Sequence, residues 1–239
     1  MDISDIKTPE DVEKFVSQLS EMMMQNFKRE QMQKIENYKV LNAAAKKGQI
    51  LFTGSSLMEQ FPICELCQSL EMSKKVYNRG IGGTTTEDFL REINTVLLDL
   101  EPSVVYLNIG TNDMSRTPHG EKWMDRLLGN YEKILKIIQT SLPDTQVYVM
   151  AYYPVNDAYV EENPMAKSML EVRTNENIAL VNQKLEELAE KYGYYFLNAN
   201  KGLTDEDGKL KLPYTMEGVH MYAEAYRIVF ENIKGYLLE

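Results

Sequence analysis

Four short polar segments of this chain contain the residue types that a serine needs to attack a carbonyl carbon. A serine hydroxyl becomes a nucleophile when a base removes its proton, and hydrogen-bond donors must then receive the oxyanion that forms. Ser56 offers the hydroxyl, His220 the base and Asn112 a side-chain amide donor. Glu217, three residues before His220, could orient the imidazole as the third member of a triad does. These residue types point to acyl transfer.

Each of these residue types also has a common structural role. A serine at a strand-to-helix junction, such as Ser55 or Ser56, is often a helix N-cap. Asn and Asp at the end of a strand often form Asx-turns. We assign that structural role to Asp113 and keep Asn112 as the donor candidate. A histidine three residues from a carboxylate is a weak signal when it stands alone.

The choice of base is narrow because the sequence contains two histidines. His119 lies between Pro118 and Gly120 in a polar segment, where we expect it to be exposed to solvent. His220 stands at the start of the final helical pattern. We therefore predict that His220 is the base.

Alternating strand-like and helix-like segments must position these residues. Residues 104–107 form a continuous apolar run, which is typical of a strand buried on both faces. The alternation predicts an α/β fold, a three-layer α/β/α flavodoxin-like sandwich with a five-stranded parallel sheet. The strands are expected near 49–53, 75–79, 103–109, 145–151 and 193–197, and the helices near 57–70, 84–99, 120–141, 167–191 and 221–237.

The predicted strand order, 2-1-3-4-5, brings three of the polar segments together. In such a sheet ligands bind in the crevice where the strand order reverses, at the carboxyl ends of the strands. Ser56 comes after the first strand, Gly83 after the second and Asn112 after the third. The irregular segment 198–221 could return across this edge and deliver His220, since long loops are usually functional or disordered.

The first 47 residues form a predicted N-terminal helical extension to a domain over 48–239. The sequence predicts that this helix starts with Thr8 as the N-cap and Pro9 as the first helical residue, and that Asp11 is the partner of Thr8 in a capping box. An apolar stripe at helical spacing comes next, and we expect it to pack on the domain. A homodimer interface is the alternative. The stripe contains Val12, Phe15, Val16, Leu19, Met22 and Met23.

The charge and hydropathy of the chain argue against several classes of partner. The formal net charge is −10, from 36 acidic and 26 basic residues, which disfavours binding to nucleic acid or to an anionic membrane. No apolar run approaches the roughly 18 residues that cross a bilayer, so no membrane insertion is expected. The first five residues lack the pattern of a signal peptide, which predicts a cytoplasmic protein.

Neither the glycine-rich segment nor the cysteines indicate a cofactor or a metal. In residues 80–85 the spacing fails the G-x-G-x-x-G pattern, because the last position falls on Thr85. Cys64 and Cys67 form a C-x-x-C pair inside a predicted helix, and zinc would need further ligands. We interpret both cysteines as packing residues beneath a helix.

Together the four segments resemble the SGNH (GDSL-type) hydrolases, over residues 49–237. The resemblance implies the SGNH hydrolase fold and a serine hydrolase without metal or cofactor. It further implies that Ser56 is the nucleophile and His220 the base. The oxyanion hole would then consist of the backbone N–H groups of Ser56 and Gly83 and the amide of Asn112.

Two positions depart from the family pattern. Ser55 stands where the family has an aspartate before the nucleophile, and Glu217 stands where it has an aspartate three residues before the histidine. The longer glutamate side chain must fold back to reach the imidazole. Asp205 and Asp207, in the same long segment, are the other candidates for the orienting carboxylate.

The sequence therefore predicts a serine esterase that works through a covalent acyl-enzyme on a small-molecule ester. The resemblance implies a shallow, open site that favours a small acyl group, so acetyl esters of carbohydrates are the leading expectation. The alternatives are a lysophospholipase or thioesterase of the same family, or a non-catalytic flavodoxin-like module that binds nucleotides or regulates a partner.

Overall fold

A computed structural model describes residues 8–114 and 122–238. Within them, five parallel strands form one sheet in the order β2-β1-β3-β4-β5, flanked by helices. The predicted α/β sandwich and strand order are confirmed. The strands are β1 (Ile50–Gly54), β2 (Val76–Asn78), β3 (Val104–Asn108), β4 (Gln146–Met150) and β5 (Tyr195–Leu197). The helices are α1 (Pro9–Ala44), α2 (Ser56–Glu59), α3 (Ile63–Leu66), α4 (Thr86–Arg91), α5 (Ile93–Val96), α6 (Trp123–Ser141), α7 (Pro164–Leu170), α8 (Asn175–Lys191) and α9 (Ala223–Leu237).

The core lies on both faces of this sheet. Every residue of β1 and β3 is buried, because successive side chains point to opposite faces and both faces are covered. Leu51 and Val105 join the core beneath α6 and α8, whereas Phe52 and Tyr106 join the core beneath α9. The rings of Phe52 and Tyr106 stack at 4.4 Å between centroids. The central strands are thereby fixed, and so are the segments that leave their carboxyl ends.

Three of the predicted helices are interrupted in the structure. The segment predicted over 57–70 divides into α2 and α3, with Pro62 between them, since proline lacks the N–H that a continuing helix needs. The segment predicted over 84–99 divides into α4 and α5. The segment predicted over 167–191 divides into α7 and α8, and Thr174 caps the second of these.

In the part of the chain described, no helix combines the length and apolar character that spanning a membrane requires.

Helix α1 begins as the sequence predicts but packs differently. Thr8 and Asp11 form the reciprocal capping box, with Pro9 as the first helical residue. The apolar stripe, however, is not packed on the domain: Val16 is 53% and Met22 58% exposed, so that expectation is wrong. A helix of 36 residues is about 54 Å long, and its contacts with the domain are made by its second half. These contacts involve Phe27, Gln31, Lys34, Tyr38 and Asn42, which recur at helical spacing.

Candidate active site

Ser56 is the first residue of α2, just after β1. Gly54 makes the sharp exit from the strand possible: its φ is +152°, and a Cβ there would lie 1.8 Å from the carbonyl oxygen of Asn108. The hydroxyl of Ser55 is fully buried and makes no hydrogen bond within the described residues. Ser56 is half-buried, and as a first-turn residue its N–H has no acceptor within the helix. The predicted nucleophile is therefore the accessible serine of the pair.

The side chains of Ser56, His220 and Glu217 form a continuous hydrogen-bonded chain. The Ser56 Oγ lies 2.9 Å from Nε2 of His220, and Nδ1 of the same ring lies 2.6 Å from Oε1 of Glu217. A carboxylate at Nδ1 favours the tautomer with the proton on Nδ1. Nε2 then remains free to accept the proton of the serine, which is the arrangement that activates a nucleophile.

Glu217 reaches the imidazole because its side chain folds back within a tight loop. Oε1 also accepts the backbone N–H of His220, at 2.9 Å. Burial alone would raise the pKa of Glu217, but the hydrogen bonds from the ring and backbone of His220, together with the charge of His220, lower it below its ordinary value. Asp205 instead accepts the backbone N–H groups of Asp207 and Lys209 in a separate turn. Glu217 is thus the carboxylate that the structure places beside His220.

The loop that carries His220 is closed on itself. Met216 N–H donates to the carbonyl oxygen of His220 at 3.1 Å, and the Thr215 hydroxyl donates to the same oxygen at 2.9 Å. Gly218 adopts a φ of +98° and donates its N–H to the Thr215 hydroxyl. The irregular segment predicted to deliver His220 does so through this turn, and α9 begins two residues beyond Met221, at Ala223.

Gly83 lies in the loop between β2 and α4, next to the nucleophile helix. Two contacts of one side chain tie the loop to α2: Asn78 Oδ1 accepts Gly80 N–H at 2.9 Å while its Nδ2 donates to Met58 O at 2.6 Å. Gly83 has a φ of +70°, which favours glycine. Its N–H makes no hydrogen bond to any described residue, so this donor is available to a bound group.

Asn112 is held by a residue that the sequence did not single out. Arg173 Nη2 donates to Asn112 Oδ1 at 3.2 Å and to Thr111 O at 2.8 Å. Asn112 Nδ2 donates to Thr84 O at 2.9 Å, and an amide nitrogen carries two hydrogens. The oxygen of the amide is therefore occupied, and one N–H can point toward a ligand. Burial lowers the pKa of Arg173 to about 10.

The remaining candidates from the sequence have other positions. Asp113 is buried and accepts hydrogen bonds from the backbone and hydroxyl of Thr86, at 2.9 and 2.6 Å, so its role is structural. Cys67 is buried, but Cys64 is exposed, which corrects the expectation that both pack beneath a helix. The short helix α3 places Cys64 at its outer side. His119 lies outside the described residues.

Comparison with known proteins now identifies the family. The model of the GDSL-like lipase/acylhydrolase family matches residues 64–228. The chain belongs to this family. Ser56 lies before the matched range, and the fold brings it to His220 within that range. The resemblance to the SGNH (GDSL-type) hydrolases is thereby confirmed, and the family member described here is an ester-hydrolysing serine hydrolase.

Individual relatives of this GDSL-like protein agree with that assignment. The platelet-activating factor acetylhydrolase IB subunit alpha2 of Homo sapiens is 25% identical over 201 residues, or 84% of this chain and 80% of the relative. The alpha1 subunit of Rattus norvegicus is 24% identical over 203 residues, with 83% and 79% covered.

Solved structures share the architecture of this family member. A protein from Streptococcus pneumonia, described as a platelet activating factor, is 29% identical and superposes with a TM-score of 0.81, covering 92% of this chain and 99% of its own. An acetylxylan esterase from Geobacillus stearothermophilus is 14% identical with a TM-score of 0.58, covering 81% and 95%. The second similarity concerns the fold alone.

Proposed function

We propose that Ser56 attacks the carbonyl carbon of an ester and forms a covalent acyl-enzyme. His220 takes the serine proton through Nε2, and Glu217 stabilises the imidazolium that results. The backbone N–H groups of Ser56 and Gly83 and the amide of Asn112 receive the oxyanion. His220 then protonates the leaving alcohol and activates the water that releases the acid. The observation that carries this proposal is the 2.9 Å contact between Ser56 Oγ and His220 Nε2.

The acyl group that we propose is acetyl. Two of the similar proteins, which align over about four-fifths of both chains, are named acetylhydrolases. The expectation from the sequence is that the substrate is an acetylated carbohydrate, so that the leaving group is a carbohydrate hydroxyl. A second candidate is an acetyl ester of a phospholipid, which the names of the same relatives favour. The predicted lysophospholipase and thioesterase activities differ from both in their acyl or leaving group.

A panel of esters tests the proposal in two stages. With p-nitrophenyl esters, we expect kcat/KM for acetate to exceed that for octanoate by about tenfold or more, because a small acyl pocket discriminates by a few kcal/mol. With acetylated xylooligosaccharide, an acetyl-glycerophospholipid and an acetyl thioester, we expect the oligosaccharide to react fastest. Faster release from the phospholipid would favour the second candidate. If the protein hydrolyses none of these esters, the proposal is contradicted.

We predict that Glu217→Gln lowers kcat by about 10²–10⁴-fold. The glutamine amide can donate to Nδ1, which places the remaining ring proton on Nε2 and blocks acceptance from the serine. Steady-state hydrolysis of p-nitrophenyl acetate measures the effect. Asp207→Asn is the matched control, because Asp207 is exposed and lies in a separate turn, and its kcat should stay at the level of the wild type.

The same variant should alter the pH dependence of stability. The pKa of Glu217 is lowered in the folded state, so its carboxylate contributes stability above the unfolded pKa that disappears as pH falls through the folded value. The difference in Tm between wild type and Glu217→Gln should therefore be largest near neutral pH and shrink in acid. Near-wild-type kinetics, or a Tm difference that grows in acid, would count against the role of Glu217.

Two expectations about the protein as a whole stay predictions. Pairing of two copies through the apolar stripe of α1 would cover side chains that are largely exposed, such as Val16 and Met22, and light scattering at several concentrations measures it. A cytoplasmic location also stays a prediction. The non-catalytic nucleotide-binding alternative has no support from the family assignment.

A further inference from the structure

Helix α1 contacts the glycine loop beside the proposed nucleophile. Gln31 Nε2 donates to the carbonyl oxygen of Gly82 at 2.6 Å, and the Tyr38 hydroxyl donates to that of Gly80 at 3.0 Å. The ring of Phe27 covers Gly83, since a Cβ built on that glycine would lie 2.3 Å from the ring. These contacts come from a helix that lies outside the residues matched by the family model.

The contact of Gln31 acts on the peptide group whose N–H is one of the three proposed oxyanion donors. The carbonyl of Gly82 and the N–H of Gly83 belong to the same planar peptide unit, in which they point in opposite directions. A donor that fixes the carbonyl oxygen therefore fixes the direction of the N–H. A hydrogen bond to the oxygen also polarises the amide and strengthens its N–H as a donor.

The preceding peptide unit, between Ile81 and Gly82, is held through its N–H group. Gly82 N–H donates to Oε2 of Glu59 at 2.5 Å, and Lys34 of α1 forms an ion pair with Oε1 of the same carboxylate, at 2.5 Å. Glu59 is the last residue of α2, the helix that Ser56 begins. Gly82 is thus held through its N–H by α2 and through its carbonyl by α1.

We propose that Gln31 is a positioning residue for the Gly83 N–H and that α1 is part of the catalytic framework. This inference rests on the proposed function, in which Gly83 N–H receives the oxyanion. Preorganised donors lower the barrier because they need not reorient as charge develops. Without Gln31, the peptide between Gly82 and Gly83 can rotate away, and transition-state stabilisation is lost while substrate binding is retained.

Gln31→Met tests the inference because it keeps the length of the side chain and removes the donor. We expect kcat to fall by about tenfold to 100-fold, less than the loss of an oxyanion donor itself, with KM nearly unchanged. Gln31→Lys restores a donor of similar reach and should recover most of the lost kcat. Gln33→Met is the matched control: Gln33 is exposed on the same helix, and its side chain makes no hydrogen bond to a described residue.

The readouts separate this inference from the function on which it rests. Circular dichroism and Tm of each variant show whether the fold is retained, and Lys34→Met, which releases Glu59, gives a second test with a smaller fall in kcat. An active wild type whose kcat changes equally in Gln31→Met and Gln33→Met overturns the inference alone. Failure of Gln31→Lys to exceed Gln31→Met also overturns it, as does a change confined to KM. A wild type that hydrolyses no ester overturns both.

Discussion

Ser56→Ala should reduce kcat for p-nitrophenyl acetate by about 10⁴–10⁶-fold, because removal of a nucleophile leaves only binding and the oxyanion hole. The residual rate should be independent of further changes at His220. The fold should be unaffected, since the Ser56 hydroxyl contacts His220 and supports no other described element. Single-turnover and steady-state assays measure the loss.

Ser55→Ala is the matched control for this variant. Its hydroxyl is 0% exposed and makes no hydrogen bond within the described residues, so its removal should leave kcat within about threefold of the wild type. A fluorophosphonate probe and subsequent peptide mapping locate the reactive hydroxyl independently of turnover. Labelling at Ser55, or equal losses in both variants, would contradict the assignment of Ser56.

The position of the site could be predicted because it depends on the order of the strands and on the residues at their carboxyl ends. Apolar runs of strand length identified β1 and β3, and the rule that ligands bind at the reversal of strand order placed Ser56 and Asn112 at one edge. The sequence also favours Glu217 as the orienting carboxylate, because it is only three residues from His220, although it leaves Asp205 and Asp207 open. A three-residue separation within one turn allows the longer glutamate to fold back onto the ring.

The contacts that hold the site could not be predicted, because they join residues far apart in sequence. Gln31 and Gly82 are 51 positions apart, and Arg173 and Asn112 are 61 positions apart. Neither Gln31 nor Arg173 lies in a motif or in an apolar pattern. The sequence signal for these contacts is a mixed stripe at helical spacing in the second half of α1, where Gln31 and Lys34 stand between the aromatic residues Phe27 and Tyr38.

The apolar stripe of α1 shows the limit of periodicity as evidence. A stripe predicts that a face will be covered, but not by which surface. The stripe occupies the first half of the helix, whereas the contacts with the domain come from the second half, so residues such as Met22 remain exposed. The second half of the helix contacts the glycine loop at the site, while pairing of two copies through the stripe in the first half stays a prediction. If two copies pair in this way, the two roles belong to different halves of the helix and do not compete.

His220→Ala should lower kcat as severely as Ser56→Ala, because the serine depends on its base for every proton transfer. Single losses within one catalytic unit are not additive, so the double variant Ser56→Ala/His220→Ala should be no slower than either single variant. A histidine that served only to hold the loop would instead add its effect to that of Ser56. His119→Ala is the control for the loss of a histidine, and its kcat should stay within a few-fold of the wild type. Comparable losses in both histidine variants, or an additive double variant, would show that the proton of Ser56 takes another path.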